Sequence, residues 1–254
     1  MYKKLTSEDF ITSSIIRFGS HKNYIQEKIL VDFFAIKGNM KIAECLRKYI
    51  QKHLPELKAL SKIRLVDIGP AIGALTTLFA LQELDRFGLM DKTRIYLVDV
   101  SERVLDKTQE GDFFFPKSLI DPSLKKVMLK KLKNSKCHAS SAVKLPFKDN
   151  HFDMVLAGFL FHNLHDDLKN PVADQLQRIV KKDGFIGVAE EWFENYKKEY
   201  ALEHANDEVP LAYEAPIAME KLVKYFDSMQ ITECSKSKDI PKENYYYFCG
   251  EGKK

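Results

Sequence analysis

Leu65-Val-Asp-Ile-Gly-Pro-Ala-Ile-Gly73 restricts the possible folds more than any other segment of the chain. The apolar run at 63–68 stops at Gly69, and a helical pattern begins at Ala74 and continues to Leu84. A buried strand must therefore turn tightly into a helix. Glycine reaches positive φ without a Cβ penalty, so Gly69 and Gly73 allow the main chain to approach a ligand at the turn. The helix beyond Gly73 begins with unpaired N–H groups and a partial positive charge, which suit a carboxylate or a phosphate. The same pattern can also serve packing alone, so the rest of the chain has to discriminate.

Strand and helix alternate onward from this turn. Residues 95–100 repeat the strand pattern, with Asp99 near the end, and Ser101 starts a helix carrying Glu102 and Arg103 in its first turn. A short strand at 137–140, a buried strand at 152–158, a helix at 166–180 and a strand at 185–190 follow, the last two separated by Asp183-Gly184. The tail predicts a helix at 217–226 and strands near 230–234 and 245–249. This order implies an α/β fold with a doubly wound, mainly parallel, seven-stranded Rossmann-like sheet, whose ligands sit at the carboxyl ends of its strands.

Before residue 60 the pattern is helical. Ser7 caps a segment through Ile16, and Ile25, Ile29 and Phe33 form a stripe that ends before Gly38. A further helix covers 41–52. The predicted organisation is a helical cap at 1–60 and a domain at 61–254 with insertions near 111–134 and 192–215. The second insertion holds Trp192, Phe193, Tyr196, Tyr200 and Tyr213, and the N-terminal region holds His21 and Tyr24. Such an aromatic cap can exclude water from an acceptor pocket, or can simply pack.

Charge and cysteine usage narrow the function classes. Lys and Arg number 40 against 36 Asp and Glu, a net charge of +4, which does not call for nucleic acid. The basic run at 125–136 interleaves with Leu124, Val127, Met128, Leu129 and Leu132 at helical spacing and reads as a solvated amphipathic helix. Cys45, Cys137, Cys234 and Cys249 are scattered without a CxxC pair, which predicts no metal site and a reduced cytoplasmic protein. No signal-peptide block opens the chain and no apolar run is long enough for a bilayer, so no membrane partner is expected.

A carboxylate at the tip of the second strand sharpens the reading. Asp99 can accept both hydroxyls of a ribose, or it can cap the helix that follows. Together with the Gly69 turn, with Leu145-Pro-Phe147 ahead of Phe152-Asp-Met-Val155, and with Val180-Lys-Lys-Asp-Gly184 before a strand ending in Glu190, the segment from Ile63 to Glu191 resembles the class I S-adenosylmethionine-dependent methyltransferases, in particular their small-molecule group. The resemblance implies S-adenosylmethionine as cofactor and S-adenosylhomocysteine as product. It implies Asp67, Gly69, Ala71 and Gly73 around the methionyl end, Asp99 and Val100 on the ribose and one adenine face, and Ser141 and Ala142 at the adenine edge. Ala157, Gly158 and Phe159 would line the sulfonium side, with His162 nearby. Two positions depart from the family pattern, since the middle glycine of the turn is Ala71 and the usual acid before the Leu-Pro-Phe segment is Ser141. A nicotinamide domain fits less well, because the third spaced glycine is missing and Asp99 lies too far along.

Methyl transfer from a sulfonium needs alignment above all, with a base where the acceptor carries a proton. His162 and His165 in Phe161-His-Asn-Leu-His165, and Glu190 or Glu191 after the fifth strand, are candidate bases, with His162 and Glu190 preferred as catalytic. No Asn-Pro-Pro-Tyr motif follows the fourth strand, where Gly158-Phe-Leu-Phe-His162 stands instead, and this disfavours nucleobase or amide nitrogen. The function expected is methyl transfer to an oxygen or nitrogen of a small-molecule acceptor. Ala71 and Ser141 give a foothold to the alternative of a non-catalytic, methyltransferase-like regulatory scaffold. An enzyme for RNA or protein would need a basic groove or a stable polypeptide complex.

Overall fold

Apolar residues alternate between the two faces of each central strand, so the sheet needs cover on both sides and the helices provide it. The computed structural model describes residues 33–71, 73–111, 120–164, 166–191, 217–237 and 245–253. Within these, seven strands form one sheet: β1 (Ile63–Ile68), β2 (Thr93–Asp99), β3 (Lys136–Ala139), β4 (Phe152–Gly158), β5 (Val180–Glu191), β6 (Met229–Lys236) and β7 (Tyr245–Gly252), in the order β3-β2-β1-β4-β5-β7-β6. The first five run parallel, whereas β7 is antiparallel to both β5 and β6. The order reverses between β1 and β4, which opens a crevice at their carboxyl ends.

The helices are α1 (Phe33–Lys52), α2 (Leu54–Ala59), α3 (Leu75–Arg86), α4 (Glu102–Glu110), α5 (Lys125–Lys133), α6 (Asp166–Ile179) and α7 (Met219–Lys224). Leu65, Leu97 and Leu156 face Ile42 and Leu46 of α1 and Leu78 and Leu81 of α3. Val66, Val98 and Val155 face the other way, toward Leu176 of α6 and Phe226 beyond α7. Each buried leucine contributes roughly 1.5–3 kcal/mol relative to exposure. Ser101 caps α4 by accepting the Val104 N–H, and Met128 and Leu132 form the buried stripe of the basic helix α5. No helix among the described residues is long and apolar enough to cross a membrane.

α1 packs against β4, β5 and β7 and against α3. Its far end is tied to the amino side of β5, where Tyr49 donates to the Asp183 carbonyl at 3.0 Å, and Lys52 donates to Glu251 at 2.8 Å. Arg47 grips the buried Glu83 of α3 with bonds of 2.8 and 3.0 Å. Its near end lies against the tip of β4: a Cβ on Gly38 would fall 2.7 Å from the Phe159 ring. The sequence pattern predicts a break at Gly38, yet the helix runs through it. The glycine there makes room for Phe159 instead of ending the helix.

A second difference falls at Val180, which the sequence assigns to the helix and the structure to β5. Val180 pairs with Phe152, and the ladder then shifts register before Met154 meets Phe185. Asp183 takes up the irregularity at φ 58°, and Gly184 is pressed between the Lys181 and Asp153 carbonyls, 3.0 and 3.1 Å from where its Cβ would stand. The expected helices before residue 33, the 192–215 insertion, His165, and the aromatic residues His21, Tyr24, Trp192, Phe193, Tyr196, Tyr200 and Tyr213 lie outside the described residues.

Candidate functional site

The crevice is built from the carboxyl tips of β1, β2 and β4 and from the first turn of α3. Gly69 leaves β1 at φ 69° while its N–H donates to the Val98 carbonyl at 2.8 Å, which locks the turn onto β2. Ala71 and Ala74 also adopt positive φ, 50° and 45°, and Gly73 stands at 91°. An alanine in that region costs roughly 1–2 kcal/mol, so the turn is held by its surroundings. Thr108 of α4 holds it from below: the hydroxyl accepts the Gly73 N–H at 3.0 Å and reaches the Ala71 carbonyl at 3.4 Å. Leu160 lies over the turn, 2.8 Å from where a Cβ on Gly69 would stand.

Two carboxylates face this turn. Asp67 is fully buried near the end of β1; its Oδ2 accepts from the Thr77 hydroxyl of α3 at 2.8 Å, and its Oδ1 has no hydrogen-bond partner. Burial pushes its carboxyl up to about 7, against the pull of Thr77. Asp99 ends β2 half-buried, its Oδ1 accepting the Ser101 N–H at 2.9 Å, and burial pushes its carboxyl up to about 6. Its carbonyl accepts the Ser140 N–H at 2.9 Å, which brings the segment of Ser141 and Ala142 beside Asp99 and Val100. Ser141 turns its hydroxyl to the Val143 N–H at 3.4 Å, and Ala142 is buried.

The tip of β4 carries the other group. Ala157 is fully buried on the α6 side. Gly158 is pressed by α1 and α3, because a Cβ there would stand 2.5 Å from the Thr76 hydroxyl and closer still to the Asn39 carboxamide. Phe159 is at φ 57° and donates to the Ala189 carbonyl at 2.7 Å. Glu190, fully buried at the end of β5, accepts the Phe161 N–H at 2.5 Å, the His162 N–H at 3.2 Å and His162 Nδ1 at 2.9 Å.

Asn163 donates through Nδ2 to the Phe159 carbonyl at 3.2 Å, so its amide orientation is set, and the same Nδ2 stands 2.9 Å from His162 Nε2. Nε2 is therefore the acceptor nitrogen, and the Nδ1–H donates a hydrogen bond to Glu190. The structure thus joins His162 and Glu190, which the sequence offers as separate candidates, into one unit. It also adds Asn39, Thr76, Thr77, Thr108 and Asn163, which sequence reasoning missed. The threonine pair Thr76-Thr77 in the first turn after the glycines was a readable signal, whereas nothing in the sequence links Asn39 to it.

Residues 66–188 match the model of a methyltransferase domain. No curated protein matches the chain in sequence. Among solved structures, the fold is similar to the YcgJ protein from Bacillus subtilis, at 13% identity and a TM-score of 0.51 over 82% of this chain and 99% of that one. It is similar to the N-methyltransferase NodS from Bradyrhizobium japonicum WM9 in complex with S-adenosyl-L-homocysteine, at 12% identity and a TM-score of 0.51 over 81% and 88%. It is also similar to the CurJ carbon methyltransferase, at 15% identity and a TM-score of 0.62 over 95% of this chain and 61% of that one. At these identities the likeness bears on the fold.

Proposed function

We propose that this chain, whose residues 66–188 match a methyltransferase domain, is a class I S-adenosylmethionine-dependent methyltransferase that methylates an oxygen or nitrogen of a small-molecule acceptor and releases S-adenosylhomocysteine. The structural neighbours include an N-methyltransferase and a carbon methyltransferase, so fold alone does not select the atom. The observation that carries the reading is the buried His162–Glu190 pair, 2.9 Å apart at the tip of β4. A base held there serves an acceptor that must lose a proton, as a hydroxyl or a protonated nitrogen does.

The residues around the crevice fit the cofactor by their chemistry. Asp67 Oδ1, buried without a partner, calls for a cationic or N–H donor such as an α-ammonium. Asp99 would supply an acceptor for the ribose hydroxyls, and Val100, Ser141 and Ala142 would border the adenine. Gly69, Ala71 and Gly73 would hold the methionyl end through their backbone, with Ala157, Gly158 and Phe159 on the sulfonium side. When bound, the cofactor supplies an electrophilic methyl on a sulfonium.

His162 Nε2 takes the acceptor proton once Asn163 gives up its hydrogen bond, and Glu190 on Nδ1 keeps the tautomer and stabilises the charge that develops on the ring. Such a base is worth about 10²- to 10⁴-fold in rate. Four free cysteines support a reducing, cytoplasmic setting, and the net charge of +4 supports a small-molecule partner without nucleic acid. Calorimetric titration with S-adenosylmethionine and S-adenosylhomocysteine, with Asp99→Ala as control, tests the cofactor assignment. An acceptor screen read by S-adenosylhomocysteine release then compares the wild type with His162→Asn. Unchanged turnover in His162→Asn would remove the base and with it the argument for a protonated acceptor.

A further inference from the structure

Among the described residues Lys169 is the one lysine that is fully buried, at 0% exposure. A lysine is almost never sealed in this way unless it faces an opposite charge. Val172, Ala173, Leu176 and Ile179 form the face of α6 that packs with Val155, Ile186 and Val188 of the sheet, and Lys169 stands one turn ahead of them on the same face. Ile179 leads directly into β5, so the helix runs back along the strands and its first turn, with Lys169, lies at their carboxyl tips. Glu190 reaches the same level from the sheet. Two residues beyond Val188, it is on the same face of β5, and it pairs across the ladder with the fully buried Tyr246, which belongs to the same core cluster.

The two charges act on each other. Burial pulls the Lys169 ammonium below its ordinary value, while Asp166, whose Oδ1 accepts from Nζ at 2.8 Å, and the Glu190 carboxylate hold it up. Lys221 of α7 opposes them from an exposed position. The Asp166 side chain is 64% exposed and is screened by water, whereas Glu190 is sealed. Tyr246 does not answer the carboxylate, because its hydroxyl donates to the Ile217 carbonyl at 2.8 Å.

A carboxylate hydrogen-bonded to an imidazole in a buried site favours the imidazolium, yet the Asn163 amide donates to Nε2 and so marks the His162 ring as neutral. We infer that Lys169 is a positioning residue for the base: its ammonium offsets the buried charge of Glu190, so that Glu190 fixes the Nδ1–H tautomer of His162 without holding the ring protonated. This rests on the reading of His162 as the base, since only a neutral ring can take the acceptor's proton at Nε2.

The test is the titration of the His162 ring, followed by NMR on protein with isotopically labelled histidine in the wild type, Lys169→Met and Lys169→Arg. The resonance is assigned by its loss in His162→Asn, and no acceptor or cofactor is needed. In the wild type the ring nitrogens should report the neutral Nδ1–H form at neutral pH. Removing the cation leaves Glu190 to pull on the ring unopposed, so the midpoint in Lys169→Met should rise by on the order of one pH unit. Lys169→Arg keeps the charge and should stay within about 0.3 unit of the wild type. A midpoint in Lys169→Met that moves down, or up by less than about 0.3 unit, overturns the inference, as does an equal rise in Lys169→Arg. A wild-type ring already protonated at neutral pH overturns it without any variant having to fold. In turnover, the acid limb of the pH profile should move up with the ring, giving roughly tenfold less activity below both midpoints and no change above them. A ring that shifts while the acid limb stays in place upholds the action of Lys169 and defeats the reading of His162 as the base.

Discussion

Cofactor affinity should depend on pH through Asp67, and the structure sets the size of the effect. Burial holds this carboxyl at about 7 in the free protein, so much of it is protonated at neutral pH and cannot take an ammonium. If only the ionised form binds, the apparent dissociation constant scales with the inverse of the ionised fraction, giving a rise of about tenfold from pH 8 to pH 6. Asp99, at about 6, adds roughly another factor of two at pH 6.

Binding should also release roughly one proton at pH 6, measurable as a difference in calorimetric heat between buffers of unlike ionisation enthalpy. The assay is S-adenosylhomocysteine titration at pH 6, 7 and 8, with Asp67→Asn as comparison. The variant keeps a partner for Thr77 but sets an N–H or a neutral oxygen against the ammonium, so it should bind roughly 10- to 100-fold more weakly at pH 8 and show a shallower pH slope. An affinity that stays within twofold from pH 6 to pH 8 without proton release would refute the reasoning. The sign for stability runs the other way. The folded carboxyl titrates above its unfolded value of 3.8, so the unliganded protein gains stability as pH falls from about 7 toward 4, by up to about 4 kcal/mol from Asp67.

Gly158→Ala places a methyl against Asn39 and Thr76 and should cost about 1–3 kcal/mol, read as a lower unfolding midpoint together with weaker S-adenosylhomocysteine binding. Glu190→Gln leaves one amide N–H facing the N–H groups of the Phe161–Asn163 turn, and should cost about 2–3 kcal/mol in denaturant unfolding while lowering turnover. Arg47→Met leaves the buried Glu83 with Arg86 alone and should destabilise by about 1–3 kcal/mol, without a change in cofactor affinity by calorimetry.

Most of the sheet was legible in the chain because strands buried on both faces read as short apolar runs between turn residues. The order of β and α elements then leaves few topologies. Asp67, Gly69, Gly73 and Asp99 were legible for a related reason: a glycine turn and a strand-end acid are local features, written within a few residues. Gly38 and Val180 were misjudged because a local signal met a tertiary contact, the Phe159 ring in one case and the Phe152 ladder in the other.

The sequence alone determined the α/β class, the strand-turn-helix at residues 65–74 and the acids that face it, because these depend on neighbours in the chain. Only the tertiary structure decided that His162 and Glu190, 28 residues apart, are hydrogen-bonded, and that Asn39 stands beside Thr76, 37 residues away. Such pairings follow from how helices pack across a sheet, and side-chain hydrogen bonds between distant segments leave no periodic trace in the sequence.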